Sequence, residues 1–138
     1  LQCLYPVPGE EYTVTNGASV TLYVTSDEFS MLLTGDLGKE GEAEVLKTGT
    51  TVDCDVLKAG HHGSDTSSSE AWLTAASPAL TLISCGEDNS YGHPHAGTLE
   101  RLRAAGSGIL VTMDWGALTV RSDGKNFRAE AFCPEKKE

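Results

Sequence analysis

All four histidines of the chain fall into two short clusters, His61 and His62 in "AGHHGS" and His93 and His95 in "YGHPH". A third polar cluster, "TGD", places Asp36 directly after the apolar run "SMLL". Imidazoles gathered with a carboxylate suit zinc or manganese, and imidazole also moves protons near neutral pH. Each cluster has a plainer reading when taken alone. Asp after Gly is a common turn residue. Adjacent histidines often sit in a surface loop, and Pro94 by itself would make a rigid turn. The serines at 67–69 read as an exposed helix entry and not as nucleophiles. The clusters point to chemistry jointly, because each comes after an apolar strand. In α/β sheets, ligands gather in the crevice beyond the carboxyl ends of the strands. If the three strands run parallel, all four histidines come near Asp36. Gly35, Gly63 and Gly92 would let backbone approach a ligand closely.

The elements that must position these clusters can be read from periodicity. "ASVTLYVT" (18–25) alternates and is rich in β-formers, and "FSMLLTG" (29–35) returns as its hairpin partner. "KEGEAEVLKTG" (39–49) has helical character and stops at Gly49. "CDVLKAG" (54–60) is a short apolar strand. Ser67 and Glu70 form a capping pattern that starts a helix over 67–76. "ALTLISCG" (79–86) is a strongly apolar, central strand. "AGTLERLRAAG" (96–106) is an amphipathic helix. Strands follow over 108–113, 116–124 and 127–133, with Asp123-Gly124 as a hairpin turn signal. Strands and helices alternate in the middle and hairpins flank both ends, so one α/β domain over 1–138 is the economical reading.

The 138 residues are a normal length for one domain, and 39% of them are hydrophobic, enough for a core. No apolar run approaches the roughly 18 residues of a membrane-spanning helix. No signal peptide opens the chain, and its start at Leu1 suggests a piece of something longer. The net charge of −10 argues against a general nucleic-acid surface. Cys3, Cys54, Cys85 and Cys133 form no C-x-x-C pair, and Cys54 and Cys85 read as small core residues.

Four stretches, in order, carry a resemblance: "SVTLYVTSDEFSMLLTGDL", "DVLKAGHHGSDTSSSEAWL", "LISCGEDNSYGHPH" with "TLERLRAAG", and "TMDWGALTVRSDG". They resemble the C-terminal metallo-β-lactamase-like domain of the ComEC family of DNA-internalisation competence proteins, from about Ser19 to Gly124. That resemblance implies an αββα sandwich of two halves with two divalent metal ions, zinc or manganese, between them. The main metal motif of such domains, H-x-H-x-D-H, is absent from this chain. The resemblance therefore implies the second half only: one mixed β-sheet with helices on one face, and the first half of the domain as its missing partner.

Residue by residue, Asp36 matches the aspartate that bridges the two metals, and one histidine of "YGHPH", His93 ahead of His95, matches the last metal ligand. His61 and His62 match the histidine beside the scissile phosphate, where one of them would steady the phosphoryl oxygen or protonate the leaving oxygen. Gly63, Ser64 and His95 would bind substrate or support the imidazoles. The implied parent is a membrane-embedded bacterial protein that hydrolyses DNA or another phosphodiester. This domain would be a soluble part on the outer face of the cytoplasmic membrane. The chain alone would bind metal weakly or not at all and be inactive. Two other functions fit the same residues: a non-catalytic assembly module of a DNA-transport protein, or a hydrolase of the same fold acting on another ester. A half-sandwich also leaves one sheet face uncovered. Either Leu1–Val14 folds over that face, or copies self-associate through it, and the short, proline-containing segment favours self-association.

Overall fold

The computed structural model describes residues 1–9 and 19–132. Six strands form one mixed sheet: β1 (Gln2–Tyr5), β2 (Thr21–Ser26), β3 (Phe29–Leu33), β4 (Val56–Lys58), β5 (Leu80–Ile83) and β6 (Gly108–Val111). Their spatial order is the order of sequence, β1 to β6. The first three strands pair antiparallel, and β3 to β6 run parallel. Helices α1 (Lys39–Lys47), α2 (Glu70–Ala76) and α3 (Ala96–Ala104) make the crossovers between the parallel strands. A single helical turn, α4 (Thr112–Trp115), leads from β6 to a separate hairpin, β7 (Ala117–Ser122) and β8 (Phe127–Phe132).

Register explains the layering. Leu32, Leu57 and Thr81 lie side by side across β3, β4 and β5, as do Ile83 and Val111 across β5 and β6. Leu32, Leu57, Ile83 and Val111 share one core with Val45 of α1, Trp72, Leu73 and Ala76 of α2, and Leu102 of α3. The three helices therefore cover the same sheet face. At ~25 cal/mol per Å², burying the Trp72 and Leu residues of this layer is the main driving force for the unit. The thiol of Cys54, 4% exposed, lies in this core, and burial pushes its pKa up to about 12, so it is an inert apolar group. On the opposite face, Leu22, Val24, Met31, Leu33, Leu80, Leu82 and Leu110 are half-buried, while Val56, between Met31 and Leu80, is fully buried.

Several elements differ from the sequence reading. The first residues do not fold over the open face: Gln2–Tyr5 adds an edge strand to β2, and Leu4 and Tyr5 enter the helix-side core at 7% and 2% exposure. Residues 10–14 of that segment, like Cys133, lie outside the described residues. The N-cap of α2 is Ser69, not Ser67, because the Ser69 hydroxyl accepts from the Trp72 N–H at 3.3 Å. Ser67 is instead fully buried and donates to two carbonyls. The strand expected over 108–113 ends at Val111, where the Thr112 hydroxyl donates to the Cys85 carbonyl at 2.9 Å and accepts from its N–H at 3.0 Å. The β7–β8 turn is longer than a two-residue Asp-Gly turn, because Asp123 accepts the N–H groups of Lys125 and Asn126 at 2.9 and 2.8 Å.

Candidate functional site

The parallel order of β3, β4 and β5 puts their carboxyl ends at one edge, and the three polar clusters follow those ends. After β3, the Thr34 hydroxyl donates to the Lys58 carbonyl at 2.6 Å. Gly35 then turns the chain at φ 54°, where a Cβ would stand 2.5 Å from the Ser19 hydroxyl. The same hydroxyl accepts the Asp36 N–H at 2.7 Å, which fixes the carboxylate at the rim.

After β4, the chain passes through a single 3-10-like turn, Gly60–Gly63, in which His61 and His62 both take left-handed backbone, φ 46° and 56°. Two consecutive non-glycine residues there cost on the order of 1–2 kcal/mol each. The strain turns both rings toward the strand ends. Gly63 continues the turn at φ 83° and packs so tightly on Pro94 that a Cβ would lie 2.8 Å from the proline ring. Its carbonyl accepts the His95 N–H at 3.0 Å, which ties the two histidine clusters together.

The hydrogen bonds set the tautomers. His62 Nδ1 lies 2.7 Å from the Ser84 carbonyl, an acceptor, so Nδ1 carries the proton and donates. His62 Nε2 is thereby left to face Asp36 Oδ1 at 3.5 Å. His95 is different. Its Nδ1 accepts the Asp65 N–H at 2.9 Å, so the proton sits on Nε2, which donates to the Tyr91 carbonyl at 3.1 Å. Both ring nitrogens of His95 are spent inside the protein. His61 turns Nδ1 toward the Thr66 hydroxyl at 3.3 Å. Ser64 is 4% exposed, and its hydroxyl meets Thr66 at 3.0 Å.

His93 lies at the centre. It is 9% exposed, with ring centroids 5.7 Å from His61, 6.4 Å from His62 and 4.9 Å from His95. Asn89 holds its backbone on both sides, donating to the His93 carbonyl at 2.7 Å and accepting its N–H at 2.8 Å. Burial is the first cause that pushes its pKa below the usual imidazole value, and His95, His61 and His62 add to the push against a weaker pull from Asp36. His93 is therefore a neutral imidazole at pH 7.

The site thus unites Asp36, His61, His62, His93 and His95. It also contains two residues that the sequence reading passed over. Lys58, at the end of β4, donates to the Gly35 carbonyl at 3.1 Å, and burial lowers its pKa against the opposing charge of Asp36. Tyr91, 75% exposed, stacks on His93 at 5.6 Å and 19°. Lys58 was legible only as the one basic residue of an apolar strand, and Tyr91 only as an aromatic inside the "YGHPH" cluster. Among the described residues, no group of three or more His, Cys, Asp or Glu side chains is arranged to hold a metal ion. The facing pair of Asp36 and His62 supplies two of the three protein donors that a catalytic zinc site uses.

Fold and site together define a mixed α/β unit with a carboxylate–histidine cluster at the ends of its parallel strands. Comparison with known proteins narrows this. The chain is 39% identical over 106 residues to ComE operon protein 3 of Bacillus subtilis and 42% identical over 104 residues to competence protein ComA of Neisseria gonorrhoeae. It is 37% identical over 105 residues to recombination protein 2 of Haemophilus influenzae. The matches cover 77%, 75% and 76% of this chain but 14%, 15% and 13% of those proteins, so the chain spans about one seventh of the length of the relatives it matches. These homologues support the ComEC relationship read from the motifs. No protein-family model matches the chain. No helix among the described residues is long and apolar enough to cross a membrane.

Proposed function

We propose that this chain is the second half of a metal-dependent hydrolase domain in a ComEC-type DNA-uptake protein, and that the domain cleaves phosphodiesters. The observation that carries the proposal is the pair His62 Nε2 and Asp36 Oδ1, aimed at each other across 3.5 Å at the ends of adjacent parallel strands. An unprotonated nitrogen and a carboxylate repel unless a cation or a proton lies between them. The arrangement therefore suits an electrophile held at the rim, with His93 next to it as a neutral donor. On this reading the other ligands, those of the H-x-H-x-D-H motif, would come from the first half of the domain, packed on the open sheet face. Two divalent ions, zinc or manganese, would supply an activated water and charge neutralisation.

Within this chain, Asp36 and His93 would hold the cation side of the site, and His62 would be the member of the histidine pair that shares it. His95 fixes the "YGHPH" loop through both ring nitrogens. The competence and recombination names of two relatives support DNA as the substrate of the whole protein. The test is DNA hydrolysis by the intact protein. Asp36→Ala and His93→Ala should each remove most of the activity. Wild-type rates in both variants would refute the assignment. A second reading, a non-catalytic assembly module, is favoured by the lack of a three-ligand cluster among the described residues. It requires that both variants keep DNA uptake intact.

A further inference from the structure

The strained His61–His62 turn must be held by something, and the hydrogen bonds lead away from the site to a buried carboxylate. Ser67, fully buried, donates its hydroxyl to the Gly60 carbonyl at 2.7 Å and to the Ser64 carbonyl at 3.0 Å, bracketing the two histidines on both sides. The strap 67–69 that carries this hydroxyl is itself fixed by Glu42 of α1. Glu42 is 1% exposed, and its two oxygens accept the N–H groups of Ser68 at 2.5 Å and Ser69 at 2.9 Å. Lys39, one turn earlier, donates its N–H to the Thr66 carbonyl at 2.9 Å. From the other side, Arg101 of α3 donates to the Ser68 and Ser67 carbonyls at 2.9 and 3.1 Å. Ser68 is held at φ 53° with a buried hydroxyl that has no hydrogen-bond partner among the described residues, so the strap keeps its path at a local cost.

A buried carboxylate is expensive to keep when a neutral side chain would pack as well. Its geometry points to Glu42 as a positioning residue for the candidate site, acting through Ser67 on the left-handed His61–His62 turn. This inference rests on the functional reading of the His62–Asp36 pair. Glu42→Gln keeps the volume but turns an amide N–H₂ toward one of the two backbone N–H groups. One buried donor is then unpaired, the strap shifts, and the His62 ring leaves its Ser84 contact.

The test is site-resolved reaction of the histidines with diethyl pyrocarbonate in the intact protein, followed across pH by peptide mass spectrometry. It compares wild type, Glu42→Gln, Ser67→Ala and the double variant. The control is Glu44→Gln, on the same helix, where Glu44 accepts from the Tyr5 hydroxyl at 3.1 Å. Glu42→Gln should change the His62 rate by about fivefold or more, Ser67→Ala should do the same, and the double variant should change it no further, as coupled residues do. Glu44→Gln should leave His62 unchanged. Additive effects, an unchanged His62 profile, or an equal change from Glu44→Gln would overturn the inference. If Glu42→Gln does not fold, an unchanged His62 profile in Ser67→Ala overturns it. The labelling needs no hydrolysis, so loss of the proposed function would show only in the DNA assay.

Discussion

His62 Nε2 points at Asp36 Oδ1 from 3.5 Å because its other nitrogen is committed to the Ser84 carbonyl at 2.7 Å. One residue thus ties together the ends of three strands: its backbone follows β4, its anchor follows β5, and its free nitrogen meets the residue that follows β3. His61, next in sequence, has no such contact with Asp36.

That difference predicts unequal effects. In the intact protein, His62→Gln should lower DNA hydrolysis by about 10²- to 10⁴-fold, the range of a lost acid–base group. His61→Gln should cost much less. Rates measured beside bound-metal analysis separate two roles for His62: retained metal marks a group acting on substrate, and lost metal marks a ligand. Equal losses in the two variants would mean that the tautomer argument fails.

Gly63→Ala tests the seam between the two histidine clusters. The new Cβ meets Pro94 at 2.8 Å and the backbone sits at φ 83°. Left-handed strain alone costs ~1–2 kcal/mol, and the clash adds to it. Chemical denaturation should show a loss of at least that size, whereas Gly49→Ala, with φ 72° but open space, should show the strain cost alone. An equal loss at both sites would mean that Pro94 yields freely.

Glu42 predicts a pH dependence. Burial raises its carboxyl above 4.5, outweighing the hydrogen bonds from Ser69 and Ser68. A raised folded value means that the folded state holds the proton more tightly. The contribution is full below 4.5 and is lost as pH rises through the raised value. The stability difference between wild type and Glu42→Gln should therefore fall as pH rises through that window. A difference that grows with pH would show that the backbone N–H groups outweigh burial.

The half-buried row Leu22, Val24, Met31, Leu33, Leu80, Leu82 and Leu110 predicts association. Contiguous apolar patches of several hundred Å² are uncommon on monomers. Light scattering of this chain at micromolar concentration should show a dimer or larger, and Leu33→Glu should return it to monomer. A monomeric wild type would show that the row needs no cover from a second copy.

The strands were readable where apolar alternation is strong, as in "TLYVTS" and "FSMLL", and their parallel continuation placed the three clusters together. The left-handed path of His61 and His62 was not, because no glycine marks those two positions; the Ser67 hydroxyl on the Gly60 and Ser64 carbonyls, and the Gly35 carbonyl that accepts the His61 N–H at 3.0 Å, impose it. Three serines in a row hid the cap, since any of them could accept an N–H; Ser67 and Ser68 are both buried, and the Trp72 N–H bond singles out Ser69. Strand β1 escaped notice because "QCLY" does not alternate. Glu42 looked like one more acid in "KEGEAE", and nothing local distinguishes the member that turns inward.

The sheet is laid down in the order in which the chain is made. Each strand from β2 onward joins an edge that already exists, so no later strand must insert between two earlier ones. Growth from β1 to β5 brings together Asp36, the histidine pair and the Glu42 clamp before the "YGHPH" segment is synthesised. The last ligand candidate, His93, would then dock onto a prepared surface, with Pro94 closing against Gly63. Pulse proteolysis of nascent chains stalled beyond Ile83 should find β2 to β5 already protected, and uniform sensitivity at that length would show that the edge strand β6 is needed to hold them.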